Sequence, residues 1–443
     1  MNYSKMKRTN ILNYNDAVAY LLDMPRFTSK NTIEDTRRFL ARMNNPEKNL
    51  HIIHVAGTNG KGSVCSYIRF ILEEAGYSVS VFTSPHLVDI RERFVTGGEP
   101  VSEEDFFRAF MQIYNMLDWE ALSRDEGYHP TFFEYLFFMA MLIFSDAETD
   151  FCILETGLGG RLDATNSVTK KDLSVITRIG LDHTQYLGDT VEKIAAEKAG
   201  IMMRGVPVVY TDSSPAASEV FERRLSELGI KGYSVSKKDY AFLNFRNKSI
   251  DFSLHTRYYG YVGLNIATIA HYQMENAALA VRAVEVLDEG RTVSKEAIVR
   301  GTARAFWQGR MEEVLPEIYV DGAHNEDGIR AFLDTVGHDG ILNGRSLIFG
   351  AVADKDIRHM IESIVQSGLF DKIAVVRLKT GRTADMNMLA GIFKECGFAG
   401  CIPYESADKA LGGLIDGRRS GERIYIAGSL YLVGEIKEFL IND

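Results

Sequence analysis

The sequence predicts an α/β protein in two units. The first has a parallel sheet with a small antiparallel addition, and the second is smaller and Rossmann-like. Three observations carry this. Short runs rich in β-branched residues alternate with helical patterns, as in parallel sheets covered by helices. A glycine-rich loop joins one such strand to a helix. The alternation then starts afresh after Trp307, and 443 residues are too many for one ordinary domain.

In chain order, the strands of the first unit are His51–Val55, Val79–Phe82, Phe151–Leu154, Leu173–Ile179 and Val206–Val209. Helical stretches such as Val64–Ala75 and Phe132–Phe144 lie between them. From about Tyr233 to Tyr261, alternation rich in tyrosine and phenylalanine marks the antiparallel addition. Helices near Asn276–Leu287 and Ser294–Ala305 close the unit. The second series has strands at Ile318–Val320, Ser346–Phe349, Lys372–Leu378 and Arg423–Ala427. The boundary falls in the Phe306–Arg310 segment, dividing the chain into 1–306 and 307–443.

Hydrophobic residues at 46% and charged residues at 25% are ordinary globular usage, which excludes a disordered chain or a fibre. Fifty Lys and Arg against sixty Asp and Glu give a net charge of −10. That balance repels nucleic acid and anionic membranes, so an anionic ligand needs a local basic pocket. Among the four cysteines only Cys396 and Cys401 are close, and their spacing fits neither a zinc ribbon nor a CxxC redox site. Cys65 and Cys152 read as buried small hydrophobes. The start of the chain, Met1 to Asn10, lacks the apolar stretch of a secretory signal. The longest apolar run, Tyr135 to Phe144, falls far short of the roughly 20 residues needed to span a bilayer. These features lead to the expectation of a reduced, soluble, cytoplasmic protein.

The strongest local signal is His54-Val-Ala-Gly57-Thr58-Asn59-Gly60-Lys61-Gly62-Ser63, which follows a strand and opens a helix. That is the setting of a phosphate-binding loop, and it makes the first unit P-loop NTPase-like. The glycines admit backbone N–H groups to the phosphates, Lys61 supplies a point charge, and the Ser63 hydroxyl can reach Mg²⁺. An extra Gly62 separates this loop from the common GxxxxGK[ST] spacing.

Further polar residues follow the other strands: Ser84 after Val79–Phe82, Glu155 after Phe151–Leu154, Asp182 and His183 after Leu173–Ile179. Carboxyl ends of parallel strands form the ligand crevice, so these residues should converge on the phosphate loop. The expected strands before Glu155 and His183 are treated as neighbours. A carboxylate, an imidazole and hydroxyls around phosphates suit Mg²⁺. The second glycine loop, Gly157 to Asn166, lies directly behind Glu155 and is a candidate wall of a substrate pocket. Lys198 reads, on composition, as a solvated helix lysine. In the second unit Asp321-Gly-Ala-His324-Asn325 and Asp354-Lys355-Asp356 are strand-end clusters.

Together these motifs resemble the Mur ligase superfamily and, within it, the folylpolyglutamate synthase and dihydrofolate synthase family. The resemblance covers nearly the whole chain: HVAGTNGKGS at His54–Ser63, TSPHL at Thr83–Leu87, IRERF at Ile90–Phe94, ETGLGGRLDATN at Glu155–Asn166, LDHTQYLG at Leu181–Gly188, EKAGI at Glu197–Ile201, NAALA at Asn276–Ala280, DGAHN at Asp321–Asn325 and DKD at Asp354–Asp356. Three positions depart from the family pattern: His271-Tyr272-Gln273 where relatives often have His-Gln, Gln308 before Gly-Arg310, and Glu326 after the DGAHN motif.

The resemblance implies an ATP-dependent amide ligase. ATP phosphorylates a carboxylate of dihydropteroate or of a reduced folate's glutamate tail, and the L-glutamate amine attacks the acyl phosphate. It implies that residues 1–306 carry the ATP site and folate pocket, and that 307–443 form the glutamate ligase domain. By motif, Thr58, Asn59, Gly60, Lys61, Gly62 and Ser63 cradle ATP, with Asn276, Arg310 and Asp321 holding it from the domain junction. Ser63, Ser84, Glu155 and His183 match ligands of one Mg²⁺ or two. Lys198 matches a lysine that becomes a carbamate, an anion that supports metal binding, and His324 joins Lys61 and Lys198 in the catalytic set. Thr131, Leu162, Asp163 and Ala164 match part of the pterin-side pocket. The implied partners are small molecules alone, with no nucleic acid or membrane, and the implied state is a monomer. A bifunctional enzyme is favoured over one that only extends folate because Leu162-Asp163-Ala164 is present. A cell-wall Mur ligase is disfavoured by TSPHL and GLGGRLDATN, and a non-catalytic regulator by Lys61, Glu155, His183 and Lys198. An acyl phosphate hydrolyses if wet, so closure of one unit over the other would protect it.

Overall fold

The computed structural model describes residues 8–24, 31–124, 126–246, 248–289, 292–341 and 343–442. Its organising element is β1 (Ile52–Ala56), buried along its whole length. Successive side chains of a strand point to opposite faces, so a strand covered on both sides must be apolar at nearly every position. Ile53 and Val55 enter one core, with Ile68 and Ala277, while Ile52 enters another, with Phe39 and Phe110.

Around β1 run β2 (Val79–Phe82), β3 (Phe94–Thr96), β4 (Glu99–Pro100), β5 (Phe151–Glu155), β6 (Leu173–Ile176), β7 (Val208–Thr211) and β8 (Gly232–Val235). The sheet order is β4-β3-β2-β5-β1-β6-β7-β8. The six strands from β2 to β8 are parallel, and β3 and β4 form an antiparallel margin. A separate antiparallel sheet joins β9 (Tyr240–Arg246), β10 (Ser249–His255) and β11 (Tyr261–Ile266). The Lys61–Glu74 and Gln273–Asp288 helices pack on one face of the large sheet, and the Lys295–Arg304 helix lies against the first of them and β11. At Gly301 a Cβ would come 2.5 Å from the Ile71 Cα, so glycine lets the third helix lie against the first. The other face is covered by the Tyr14–Asp23, Ile33–Arg42, Glu103–Met116 and Phe132–Asp146 helices.

The second unit is a six-stranded sheet of β12 (Glu312–Leu315), β13 (Ile318–Val320), β14 (Arg345–Phe349), β15 (Lys372–Val376), β16 (Ile402–Tyr404) and β17 (Arg423–Ala427). Its order is β12-β13-β17-β14-β15-β16, parallel except at β12. Leu347 and Phe349 face one core and Ile348 the other, with helices on both sides. No helix among the described residues is long and apolar enough to cross a membrane. The absence of an export signal was read from a segment whose first seven residues lie outside those described.

The two-unit α/β class is as the sequence predicts, and several details are corrected. The strand expected over Leu173–Ile179 stops at Ile176, because the next residues leave the ladder to brace the phosphate loop. Tyr233 does not begin the antiparallel sheet; it lies in β8, the last parallel strand. The strands before Glu155 and His183 are not neighbours, because β1 runs between β5 and β6. Consecutive strands in sequence need not pair, and here the chain crosses over the central strand.

Candidate active site

After Ala56 the chain turns and enters the Lys61–Glu74 helix at Lys61. Gly60 has φ +89°, and a Cβ there would sit 2.3 Å from the Asn276 Oδ1. Glycine is therefore required both by the backbone and by the neighbour. The residues just past β6 hold the loop in place. The Thr58 and Asn59 amides donate to the Arg178 carbonyl at 3.0 and 3.2 Å, and Thr177 Oγ1 donates to the Asn59 carbonyl at 2.7 Å. The helix behind the loop directs its positive end and free amides at the same spot, which suits an anion. Ser63 Oγ accepts from Gln273 Nε2 at 3.0 Å, and Asn276 Nδ2 donates to Gln273 Oε1 at 2.9 Å. The sequence-nominated loop residues from Thr58 to Ser63 are thus joined to Asn276 through Gln273, a residue the sequence reading did not assign.

Glu155 ends β5 with its side chain sealed from water. Its Oε1 lies 3.9 Å from Lys61 Nζ, and its Oε2 accepts from the Ser84 amide at 3.0 Å. Burial raises its pKa, and Lys61, the Ser84 amide, Arg310 and Arg93 oppose that rise without overcoming it. A buried carboxylate left short of positive charge favours a further cation. His183 lies in the left-handed region at φ 49°. Its amide donates to Asp182 Oδ1 at 2.8 Å, and its Nε2 is 3.9 Å from Asp182 Oδ2. Burial pulls the ring down to about 4, with Asp182 opposing, so the imidazole is neutral near pH 7 and keeps a lone pair. Carboxylate, hydroxyl and neutral imidazole are donor types that suit a divalent cation, oxygen above all for Mg²⁺. The structure brings Glu155 to Lys61 and Ser84, and draws His183 to Asp182.

Lys198 overturns the composition reading of a solvated lysine. It is 4% exposed, on the face of the Val191–Ala199 helix that also buries Ile194, Ala195 and Ala199. Its Nζ donates to the Gly159 carbonyl at 3.4 Å. Burial, helped by repulsion from Lys61, lowers its pKa to about 7 against the pull of Asp182, Asp163 and Glu197. Glu197, one residue earlier, instead pairs with Arg161 at 2.8 Å.

The two units meet on Asp182. Its carboxylate receives Lys355 by an ion pair, accepts from Asn325 Nδ2 at 3.1 Å, and lies 3.5 Å from His324 Nε2. Burial alone would raise Asp182, but His324, Lys355 and His183 together hold it far below the usual carboxylate range. Asn59 and Asn325 exchange side-chain hydrogen bonds at 3.1 and 3.2 Å, and Arg178 pairs with Asp327 at 3.2 Å. Asp182 and Lys355 lie in clusters the sequence reading had singled out, yet neither was assigned a role.

Asp321 is buried at the start of its loop, accepting from Tyr272 OH at 2.6 Å, the Met311 amide at 3.0 Å and the Ala323 amide at 2.8 Å. Burial raises its pKa, with Arg310 the largest opposing influence. Arg310 lines a cleft of about 230 Å³ at the junction, with Ser63, Tyr67, Gln273, Phe306 and Trp307. Of the residues expected at the pterin side, Thr131 stands at the start of the Phe132–Asp146 helix, and Leu162, Asp163 and Ala164 stand on the second glycine loop. Thr131 caps the Phe132–Asp146 helix, and the ring of Phe133 lies against Gly157, where a Cβ would approach to 2.7 Å. Asp163 turns inward, accepting from the Leu158 amide at 2.8 Å and from Thr165 Oγ1 at 2.5 Å. Ala164 is buried, and Leu162 stands 67% exposed, apolar and open.

The model of the Mur ligase middle domain matches residues 55–284, and that of the Mur ligase glutamate ligase domain matches 309–430. The dihydrofolate synthase/folylpolyglutamate synthase of Bacillus subtilis is 34% identical over 439 residues, covering 96% of this chain and 99% of that protein. Among solved structures, Mycobacterium tuberculosis folylpolyglutamate synthase complexed with ADP superposes with a TM-score of 0.89 at 25% identity, over 97% of this chain and 98% of that one. Escherichia coli FolC in complex with DHPP and ADP gives a TM-score of 0.83 at 28% identity, over the same shares.

Proposed function

We propose, from the premise that this chain belongs to the Mur ligase family and within it to the dihydrofolate and folylpolyglutamate synthases, that it joins L-glutamate to a pteroate or folate carboxylate with ATP. One observation carries the proposal. Lys61 stands at a helix N-terminus beside buried Glu155, while His324 and Lys355 of the second unit face the first across Asp182. Positive charge from two units thus surrounds one phosphate site, which is what transfer between two anions requires.

In the first step the substrate carboxylate oxygen attacks the γ-phosphorus and ADP leaves. In the second the glutamate nitrogen attacks the acyl carbon, inorganic phosphate leaves, and the nitrogen loses its proton. Lys61 and the loop amides hold the phosphates, with Gln273 and Asn276 fixing the loop from behind. Arg310 and Asp321 hold the nucleotide at the junction, in the cleft lined by Tyr67 and Trp307. Ser63, Ser84, Glu155 and His183 would hold Mg²⁺, one ion or two, which when bound neutralises the phosphate charge. Lys198, its amine about half neutral at pH 7, is fit to take up CO₂ as a carbamate, releasing a proton. The change turns a cation crowded by Lys61 into an anion that can face the metal. His324, held by the Gly322 carbonyl at 2.7 Å through Nδ1, points Nε2 into the site to steady the departing phosphate. Closure of the units around Asp182 keeps water from the acyl phosphate.

The pterin end is assigned to the wall of Thr131, Leu162, Asp163 and Ala164, where Asp163 braces the loop and Leu162 offers apolar surface. That wall favours the bifunctional reading, as does the name of the Bacillus subtilis relative. We place the division between the units at 306/307; the gap between the two family matches, 285–308, and the start of β12 at Glu312 support it. A monomeric, cytoplasmic enzyme of small-molecule substrates completes the reading. The test supplies ATP, Mg²⁺ and L-glutamate with dihydropteroate or a reduced folate in separate reactions and weighs the products. One added glutamyl residue in both reactions is expected. Extension of folate alone would leave a monofunctional synthase, and no glutamate-dependent product in either would overturn the assignment.

A further inference from the structure

The segment between β11 and the Gln273–Asp288 helix carries His271, and the Glu326–Gly337 helix of the second unit ends on His338 one turn after Asp334. Ligand atoms of His271, Asp334 and His338 all lie within 4.8 Å of one another. Asp334 Oδ2 is 3.6 Å from His271 Nδ1, and Asp334 Oδ1 is 3.7 Å from His338 Nδ1. The imidazole rings are 4.9 Å apart between centroids. We propose that these three side chains form a transition-metal site that clamps the two units together, with a zinc-like divalent ion as its occupant.

The chemistry of the donors sets the class of ion. Two imidazoles and one carboxylate, with positions left for water, select zinc and its first-row neighbours over Mg²⁺, which prefers an all-oxygen shell. The spacing is compatible. Bonds of about 2.1 Å in a tetrahedral site put ligand atoms roughly 3.4 Å apart. Asp334 and His338 are 57% and 61% exposed, so their side chains are free to draw in by the remaining ångström or so. Asp334 and His338 are four apart on a helix, which places both on one face. Both histidines are anchored to the Glu326–Gly337 helix. The Asp334 carbonyl lies 2.7 Å from His338 Nδ1 and holds that ring beside the Asp334 carboxylate. The His271 amide donates to Thr335 Oγ1 at 3.2 Å, fixing its backbone against the second unit's helix. Phe242 walls the His271 ring on another side, 5.7 Å between centroids.

The site's position gives it consequence. His271 adjoins Tyr272, whose hydroxyl holds Asp321, and the Glu326–Gly337 helix starts at Asn325, which meets Asn59 and Asp182. An ion on His271, Asp334 and His338 therefore ties together the two elements that frame the junction.

The test titrates the full chain with Co²⁺ in excess Mg²⁺, following the visible absorption of cobalt in nitrogen-containing sites. One equivalent is expected to bind at micromolar concentration and to be displaced by Zn²⁺. Binding should weaken at least tenfold in His271→Ala, Asp334→Asn and His338→Ala, and persist in Glu155→Gln and His51→Ala. The last two exclude the phosphate site and an unrelated surface histidine. Asp334→Asn and His338→Ala alter exposed side chains, so normal circular dichroism is expected and loss of binding cannot be put down to unfolding. In hydrogen exchange, Zn²⁺ should protect amides 271–274 and 326–337 together in the wild type only. Absent cobalt absorption, or equal binding by all three variants, would overturn the site. Binding without joint protection would overturn the clamp.

Discussion

Lys355 reaches from the second unit to ion-pair with Asp182 of the first, and each side chain is only 8% exposed. Burial makes such a pair sensitive to losing one partner, because the survivor keeps its charge without its counterion. Breaking a buried pair costs about 3–5 kcal/mol, against the 0–1 kcal/mol of an exposed one.

Lys355→Ala is accordingly expected to destabilise the protein by about 3 kcal/mol and to slow turnover at least tenfold. Urea unfolding and steady-state rates measure both. The double variant Asp182→Asn/Lys355→Ala should cost less in stability than the two single changes added together. Simple additivity would show that the two residues are not coupled.

Lys61→Ala should reduce ligation by a factor of about 10²–10³ or more, with little change in melting temperature. The side chain is 18% exposed and, among the described residues, meets the Thr58 carbonyl and the edge of Glu155. Near-normal turnover by a folded variant would remove Lys61 from the phosphate site.

Glu155→Gln should uncouple stability from activity. Burial holds the Glu155 pKa above its ordinary value, so its ionised form opposes folding near pH 7. The sign follows: stability from this group is complete below the unfolded pKa and declines as pH rises through the higher folded one. The variant should melt higher at pH 7 without nucleotide, by roughly half a degree for each half kcal/mol relieved, and be inactive with Mg²⁺ and ATP. A lower melting temperature would mean that Lys61 and Ser84 already compensate the charge.

Lys198→Ala should be nearly inactive and partly rescued by acetate, whereas Lys198→Arg should be neither active nor rescued. Arginine keeps the charge and cannot carry the carbamate. The folded amine titrates near 7 and the unfolded one near 10.5, so the unfolded state holds the extra proton between those values. Stability from this group is therefore present above pH 10.5 and lost as pH falls to 7. Melting temperature measured across that window should climb less steeply in Lys198→Met than in the wild type. Retention of most of the wild-type rate by Lys198→Arg would end the carbamate role.

The glycine loop was legible because three signals coincide there: a β-branched run, glycines and a lysine at the mouth of a helix. β2, β13 and β17 were legible at both ends, being short apolar runs bounded by turn residues. Lys198 was not, because periodicity assigns a charged residue to the wet face, and only tertiary packing shows that this one points inward. Ile179 misled in the opposite sense. It looks like the end of a strand, yet the Thr177 amide makes the last bond to β1, and the Thr177 hydroxyl and Arg178 carbonyl turn to the loop. The helices at Tyr14–Asp23, Ile33–Arg42 and Glu103–Met116 went unassigned because no polar motif drew attention to them. Asp182 and Lys355 are 173 residues apart, and nothing local relates them.

The bonds from Thr58 and Asn59 to the Arg178 carbonyl have a thermodynamic consequence. A glycine-rich loop left free would have to surrender about 1–2 kcal/mol of backbone entropy per residue when a nucleotide orders it. Here folding of the sheet has already met that cost, since the loop is tied to the chain emerging from β6 before any phosphate arrives. Nucleotide affinity can then be spent on orientation of the reacting phosphate rather than on shaping its cradle. Calorimetry of ADP binding should accordingly show a small entropic penalty, and Thr177→Val, which cuts one of the ties, should enlarge it.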